Sequence, residues 1–331
     1  LFFSIWVVTM QIVGGGAILS VLLRGQVTYG QGMVLTAAVF TGYNAMGGFV
    51  ATAYTNLIHI VAIFVGLFAG GAYIFFTTDS LAAMARVPHS FSPFGDLGVT
   101  QALSWAFINF TLGVLAQPVI NTASSAVDMK SGKRGIIIGN LLAIPVVIIA
   151  ALCGIAAKDL FPHVPSIAAL PVLLSLTPPI ISVFFLIAMW APLMSSGSPF
   201  LMGATTLAVK GYLAPALKLQ GDRKLLALSR LTTIAIGLVS LLLAFFVREI
   251  LREVTWIAVL LSAIVFIVFL GWGGKRIGSR FAFTSLLGTV IILILSFVTG
   301  MFRFLHPIWP VTIFVALVMG TGFFVTKKRK D

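Results

Sequence analysis

Apolar stretches long enough to cross a bilayer alternate with short polar links along the whole chain. A bilayer core takes about 20 helical residues. Ten such runs can be drawn: Leu1–Leu23, Met33–Phe49, Thr55–Phe76, Gln101 to Asp128, Gly135–Ala157, Pro179–Val209, Leu231–Val247, Val254–Trp272, Phe281–Gly300 and Pro307–Thr326. The pattern predicts an all-α polytopic membrane protein of about ten transmembrane helices. An apolar segment at Ile167–Leu176, in the proline-rich link before the sixth run, is expected to form a short helix on the outer face.

Two runs carry interruptions, and in lipid an interruption needs a reason. In the fourth, Gly113-Val-Leu-Ala-Gln-Pro118 breaks the apolar pattern. It predicts two half-helices with an unwound joint that presents free backbone groups; a plain proline kink is the alternative. In the sixth, Pro192 and Pro199 have no N–H, so the carbonyls of Ala188 and Ser195 lose their helical partners. The hydroxyls of Ser195 and Ser196 sit beside them. Neutral oxygens converging at mid-span without a carboxylate suit a hard monovalent cation such as Na⁺. The alternative is that the serines bond back to carbonyls one turn earlier and the prolines only kink.

Other polar or small residues in the runs have quieter readings. Gly14-Gly15-Gly16 and Gly66-x-x-x-Gly70 allow close helix contact. Tyr43-Asn-Ala-Met-Gly-Gly48 reads as turn and packing chemistry near a membrane face. His59 is either a proton relay or a snorkelling, hydrogen-bonded structural residue.

Charge sets the orientation. Charged residues are 9% of the chain, against about 25% in soluble domains. The net charge of +13 would suit nucleic acid, but its distribution fits topology instead, with short basic links on the inner side. Lys130, Lys133, Arg134, Lys210, Lys218, Arg223, Lys224, Arg230, Lys275, Arg276, Arg280, Lys327, Lys328, Arg329 and Lys330 fall in one set of alternate links. Arg24, Arg86, Lys158, Arg248, Arg252 and Arg303 fall in the other. The first set is expected in the cytoplasm, together with the C-terminus, in a multi-pass protein of the cell membrane. Opposite charges in the Arg248–Glu253 turn are expected to pair. Leu1 opens directly into an apolar helix without Met or a charged leader, so the chain is expected to start inside a larger protein. Cys153 is the sole cysteine, which excludes a disulfide within the chain. No Asp or Glu lies near the middle of a run, which argues against a carboxylate-driven proton pump. No metal-ligand spacing, nucleotide loop or triad is present, and Ser195 as a nucleophile lacks a base; the chain is not read as an enzyme.

Three stretches resemble the sodium/solute symporter family, which includes sodium-coupled proline, pantothenate and sugar carriers. Tyr43 to His59 is similar to the family's Y-x-x-x-G-G-x-x-A-x-x-x-T-D-x-x-Q segment. Leu112-Gly-Val-Leu-Ala-Gln-Pro118 followed by Asp128-Met-Lys-Ser-Gly-Lys-Arg134 resembles its interrupted helix and basic loop. Leu176-Thr-Pro-Pro179 through Ala191-Pro-Leu-Met-Ser-Ser196 resembles its sodium-site helix, and His306-Pro-Ile-Trp-Pro310 is similar to its ending.

The resemblance implies an inverted-repeat, leucine-transporter-like core that lacks its first two helices. It forms a single transporter domain over 1–331: the remainder of repeat one at about 1–76, repeat two at about 101–272, and extra helices at about 281–326. It implies Na⁺ as coupling ion, held by the hydroxyls of Ser195 and Ser196 and the carbonyl of Pro192. It also implies a substrate pocket lined by Phe110, Val114, Gln117, Pro118 and Asn121, with Phe110 alternatively packing toward lipid. The partners are then a small organic solute, such as an amino acid or carboxylate, and the bilayer, with no nucleic acid. The sequence departs from the family pattern at Asn56 and His59 (often Asp and Gln in relatives), at Ala123 (often Arg) and near Ser198, where the position is often Asp in relatives and is not acidic here. These departures keep two rivals open: a proton-coupled or uncoupled member of the superfamily, and a non-transporting sensory module.

Overall fold

A computed structural model describes residues 1–23, 26–78, 98–247, 250–272, 278–300 and 306–325, with 82, 85–87 and 94 besides. Each of the ten apolar runs is occupied by a helix: α1 (Phe2–Leu22), α2 (Tyr29–Thr77), α3 (Gly98–Leu115), α4 (Gln117–Ser124), α5 (Met129–Leu160), α6 (Ser166–Leu173), α7 (Pro179–Ala208), α8 (Asp222–Ala244), α9 (Ile250–Trp272), α10 (Ser279–Thr299) and α11 (Ile308–Val325). Runs two and three are one helix, α2, broken at Gly48. Run four is the pair α3 and α4. The segment expected to be a short helix forms α6. Eight helices among the described residues are long and apolar enough to cross a membrane.

The chain forms two compact units. The first comprises Leu1–Ser92 and Asn121–Ile250, with α7 at its centre, packed on α1, α2 and α8. Between helices in lipid there is no hydrophobic drive, because acyl chains are as apolar as leucine; close packing of small residues holds them instead. The glycines supply it. A Cβ on Gly66 would lie 2.1 Å from the Phe184 carbonyl oxygen, and one on Gly15 would lie 2.4 Å from the Thr36 side chain. Phe40, Val8, Ile12 and Leu201 fill one apolar cluster around α7, and Phe185, Ile74, Leu173 and Cys153 fill the other. Cys153 is 2% exposed.

At one end of this unit, Arg86 donates through Nε and Nη2 to the Asp159 carboxylate, the shortest contact being 2.7 Å. The link after α2 and the end of α5 therefore share a side, as the alternation of basic links requires. Two boundaries differ from the sequence reading. The stretch 129–134 is the first turns of α5 rather than a loop, because Asp128 caps the helix by accepting the Ser131 N–H at 2.7 Å and its hydroxyl at 3.0 Å. Much of 210–230 is also helical: a π-turn over Val209–Leu213 extends α7, and α8 starts at Asp222. The Arg248–Glu253 pairing lies outside the described residues.

The second unit comprises Pro93–Ile120 and Leu251–Asp331. In it, α10 packs on α11 where Gly288 meets Phe314. The Trp309 indole N–H donates to the Ser104 hydroxyl at 2.9 Å, tying α11 to α3.

Candidate functional site

Helix α7 turns its buried face inward through Met194, Gly197, Ser198, Leu201, Ala204 and Thr205. Ser195 and Ser196 follow Met194 around the helix at about 100° per residue, so they leave that face. Ser195 is half-buried and Ser196 exposed. The Ser195 hydroxyl donates to the Pro192 carbonyl at 3.1 Å. The structure therefore brings together Pro192 and Ser195, with Ser196 adjacent on the outer side. The back-bonding alternative describes the same contact, since a serine donating to a carbonyl three residues back is the ordinary local arrangement.

The buried face carries a second polar group. Helix α2 breaks at Gly48, with φ 59° and ψ −151°, a backbone conformation essentially restricted to glycine. On the near side of the break, Asn44 donates through Nδ2 to the Phe40 carbonyl at 2.7 Å and to Ser198 Oγ at 3.1 Å. On the far side, the Thr52 hydroxyl lies 3.2 Å from Asn44 Oδ1 and 2.9 Å from the Gly48 carbonyl. The Tyr43 hydroxyl is hydrogen-bonded to Ser198 and lies 3.2 Å from the Met194 carbonyl, which Ser198 also reaches at 2.9 Å. Asn44, Thr52 and Ser198 are buried. The sequence reading missed this group. It took Tyr43–Gly48 as packing chemistry and saw in Ser198 only a non-acidic residue. A usable signal was present: a polar residue at 44 and another at 52, spaced evenly about the Gly48 break.

The fourth run is interrupted as expected. Helix α3 ends at Leu115, Ala116 is non-helical, and α4 begins at Gln117. The N–H groups of Val119 and Ile120 both point to the Ala116 carbonyl, at 2.9 and 3.2 Å. Pro118 has no N–H for the Val114 carbonyl. Val114 and Pro118 are half-buried at the joint, and Asn121 is half-buried in α4. The Gln117 side chain lies outside the described residues. Phe110, 53% exposed, stacks on Phe269 of α9 with ring centroids 6.1 Å apart, so it packs on a neighbouring helix rather than standing alone. Phe110, Val114, Gln117 and Pro118 belong to the second unit, and Asn121 begins the returning part of the first. His59 in α2 is half-buried, and its Nδ1 is buried without a hydrogen-bond partner among the described residues.

The model of the Sodium:solute symporter family matches residues 1–289. The chain belongs to that family. Na⁺ is the coupling ion of the family, and the protein is a multi-pass membrane protein. The high-affinity proline transporter PutP of Bacillus subtilis (strain 168) is 27% identical over 261 residues, covering 74% of this chain and 54% of the relative. The chain thus spans about half the length of that curated symporter. A solved structure of a Na⁺-coupled sialic acid symporter, substrate-bound and outward-open, superposes with a TM-score of 0.75 at 18% identity, covering 100% of this chain and 75% of that one. At that identity the likeness establishes the symporter fold.

Proposed function

We propose that the chain belongs to a Na⁺-coupled importer of a small organic solute in the cell membrane, working by alternating access with its C-terminus in the cytoplasm. The observation that carries this reading is the Ser195–Pro192 contact on α7. Two neutral oxygens lie 3.1 Å apart, a spacing that lets both touch one hard cation at the ~2.4 Å such ions use. The Ser195 hydroxyl rotates its proton away from the Pro192 carbonyl, and both oxygens then face the ion, joined by the neighbouring Ser196 hydroxyl. No carboxylate takes part, so the site favours a monovalent cation. Bound Na⁺ supplies a positive charge whose affinity differs between outward- and inward-facing states, and only such a difference can bias the transition. The joint at Val114–Pro118, where the Val114 carbonyl lacks its helical partner, is the substrate-binding element. Phe110 closes one side.

Radioactive sodium binding to the full-length protein tests the site. Ser195→Ala with Ser196→Ala is expected to raise half-saturating sodium about fivefold or more, the effect of ~1 kcal/mol, with membrane insertion unchanged. Unchanged sodium affinity would refute it. L-proline is the first solute to test for uptake, because the curated relative carries it. A proton-coupled reading is favoured by one observation, the buried Nδ1 of His59 without a hydrogen-bond partner among the described residues. Uptake with choline in place of sodium, at two pH values, separates the two.

A further inference from the structure

We propose that Tyr43, Asn44, Thr52 and Ser198 form an uncharged clamp that positions the Pro192–Ser196 turn of α7 for Na⁺, without being ligands of the ion. The proposal rests on the sodium reading of that turn.

The turn needs holding. Pro192 and Pro199 remove the helical partners of the Ala188 and Ser195 carbonyls, so α7's own ladder is weakest in the segment that bears the serines. The clamp attaches within it. Met194 accepts from the clamp, Ser198 belongs to it, and Ser195 and Ser196 lie between them on the other side of the helix. Gripping one side of a helical turn fixes the rotation, and hence the direction, of the other.

The partners in the group are accounted for from within. Both Asn44 amide protons are used, on Phe40 and Ser198. Its oxygen faces the Thr52 hydroxyl. Ser198 receives Asn44 and is bonded to Tyr43. With these oxygens engaged by one another and by backbone, the group acts as a support and not as a second cation cradle. It is also stiff. Removing one member leaves a buried partner unsatisfied, which costs more than the bond contributes. Thr52 lies beyond the Gly48 break, so the clamp reaches from α7 to both halves of α2. The later half is itself pressed onto α7, where Gly66 meets Phe184.

The test uses the full-length protein in proteoliposomes and reads half-saturating sodium by radioactive sodium binding. Thr52→Val keeps the shape and removes the hydroxyl; Thr52→Ser keeps the hydroxyl. We expect Thr52→Val and Ser198→Ala to raise half-saturating sodium about threefold or more, and Thr52→Ser to stay at the wild-type value. The number of sodium ions bound at saturation should not change. A merely structural role would lower yield and thermal stability and leave half-saturation where it was, which overturns the proposal. A fall in the number of ions bound would also overturn it, because the group would then be a ligand set. Ser195→Ala with Ser196→Ala is run alongside. If that pair shifts sodium binding and the Thr52 and Ser198 variants do not, the clamp alone fails. If the pair shifts nothing, the sodium reading fails and the clamp with it.

Discussion

Among the described residues two helical stretches are interrupted, and they are held in different ways. At Gly48 the break in α2 is bridged by buried side chains: Thr52 reaches back to Asn44 and to the Gly48 carbonyl, and Ser198 of α7 binds Asn44 from outside. At Ala116 the break between α3 and α4 shows, among the described residues, a backbone closure, with two N–H groups converging on one carbonyl. Polar residues are present in α4, but Thr122 and Ser124 are exposed. A break stapled by buried hydrogen bonds is a fixed bend, because opening it strands polar groups away from water. A break closed only locally can change its angle without such a loss. The first suits a support, and the second suits the moving part that the proposed function requires.

Substitutions at the two breaks should therefore fail differently. The largest effect is expected for Gly48→Val. A branched side chain in that backbone region costs about 1–3 kcal/mol in strain, and straightening α2 would also tear Thr52 from Asn44. Size-exclusion profiles of the detergent-solubilised protein should show little folded material. Pro118→Ala is expected to spare folding and lower uptake about tenfold, because a restored N–H lets the helix run through the joint and stiffens it. If Pro118→Ala also abolishes folding, the joint is a fixed bend like the first and the contrast is lost. Gly66→Ala sharpens the comparison from the supporting side. Its methyl group would meet the Phe184 carbonyl, and overpacking of this kind costs about 1–3 kcal/mol, read as a lower Tm with sodium affinity also reduced.

The smallest effect is expected at Asp128, which fixes the chain just after the second break. The Ser131 N–H, and then its hydroxyl, hold the Asp128 carboxyl below the ordinary carboxylate value. A depressed carboxylate contributes stability above its unfolded pKa and loses it as pH falls through the folded one. Asp128→Ala should thus lower Tm slightly at neutral pH, and the difference from wild type should vanish in acid. A difference that persists at low pH would mean the cap acts through geometry alone.

Much of this was legible in the amino-acid sequence. Apolar runs of bilayer length read as helices, since in lipid a helix satisfies its own backbone, so the all-α class followed from hydropathy. Gly113 to Pro118 marked the broken helix because both residue types disrupt the same ladder. Gly66-x-x-x-Gly70 marked a close crossing because only small residues permit one. The clamp was not legible. Its members come from positions about 150 residues apart, and nothing local in Asn44 or Ser198 reveals which faces meet. The two shifted boundaries have simpler causes. An aspartate cap at Asp128 turned a basic loop into the start of α5, and a π-turn carried α7 past its apolar run. Both are end effects, which hydropathy does not register.

The solitary thiol has a practical corollary. Cys153 lies beside Gly71 and is almost wholly buried, out of reach of polar maleimides. Cysteines introduced in pairs, one on α3 and one on α4, would then be the labelled groups. Distances between the two spin labels could then test whether the joint changes its angle, without first stripping the native residue.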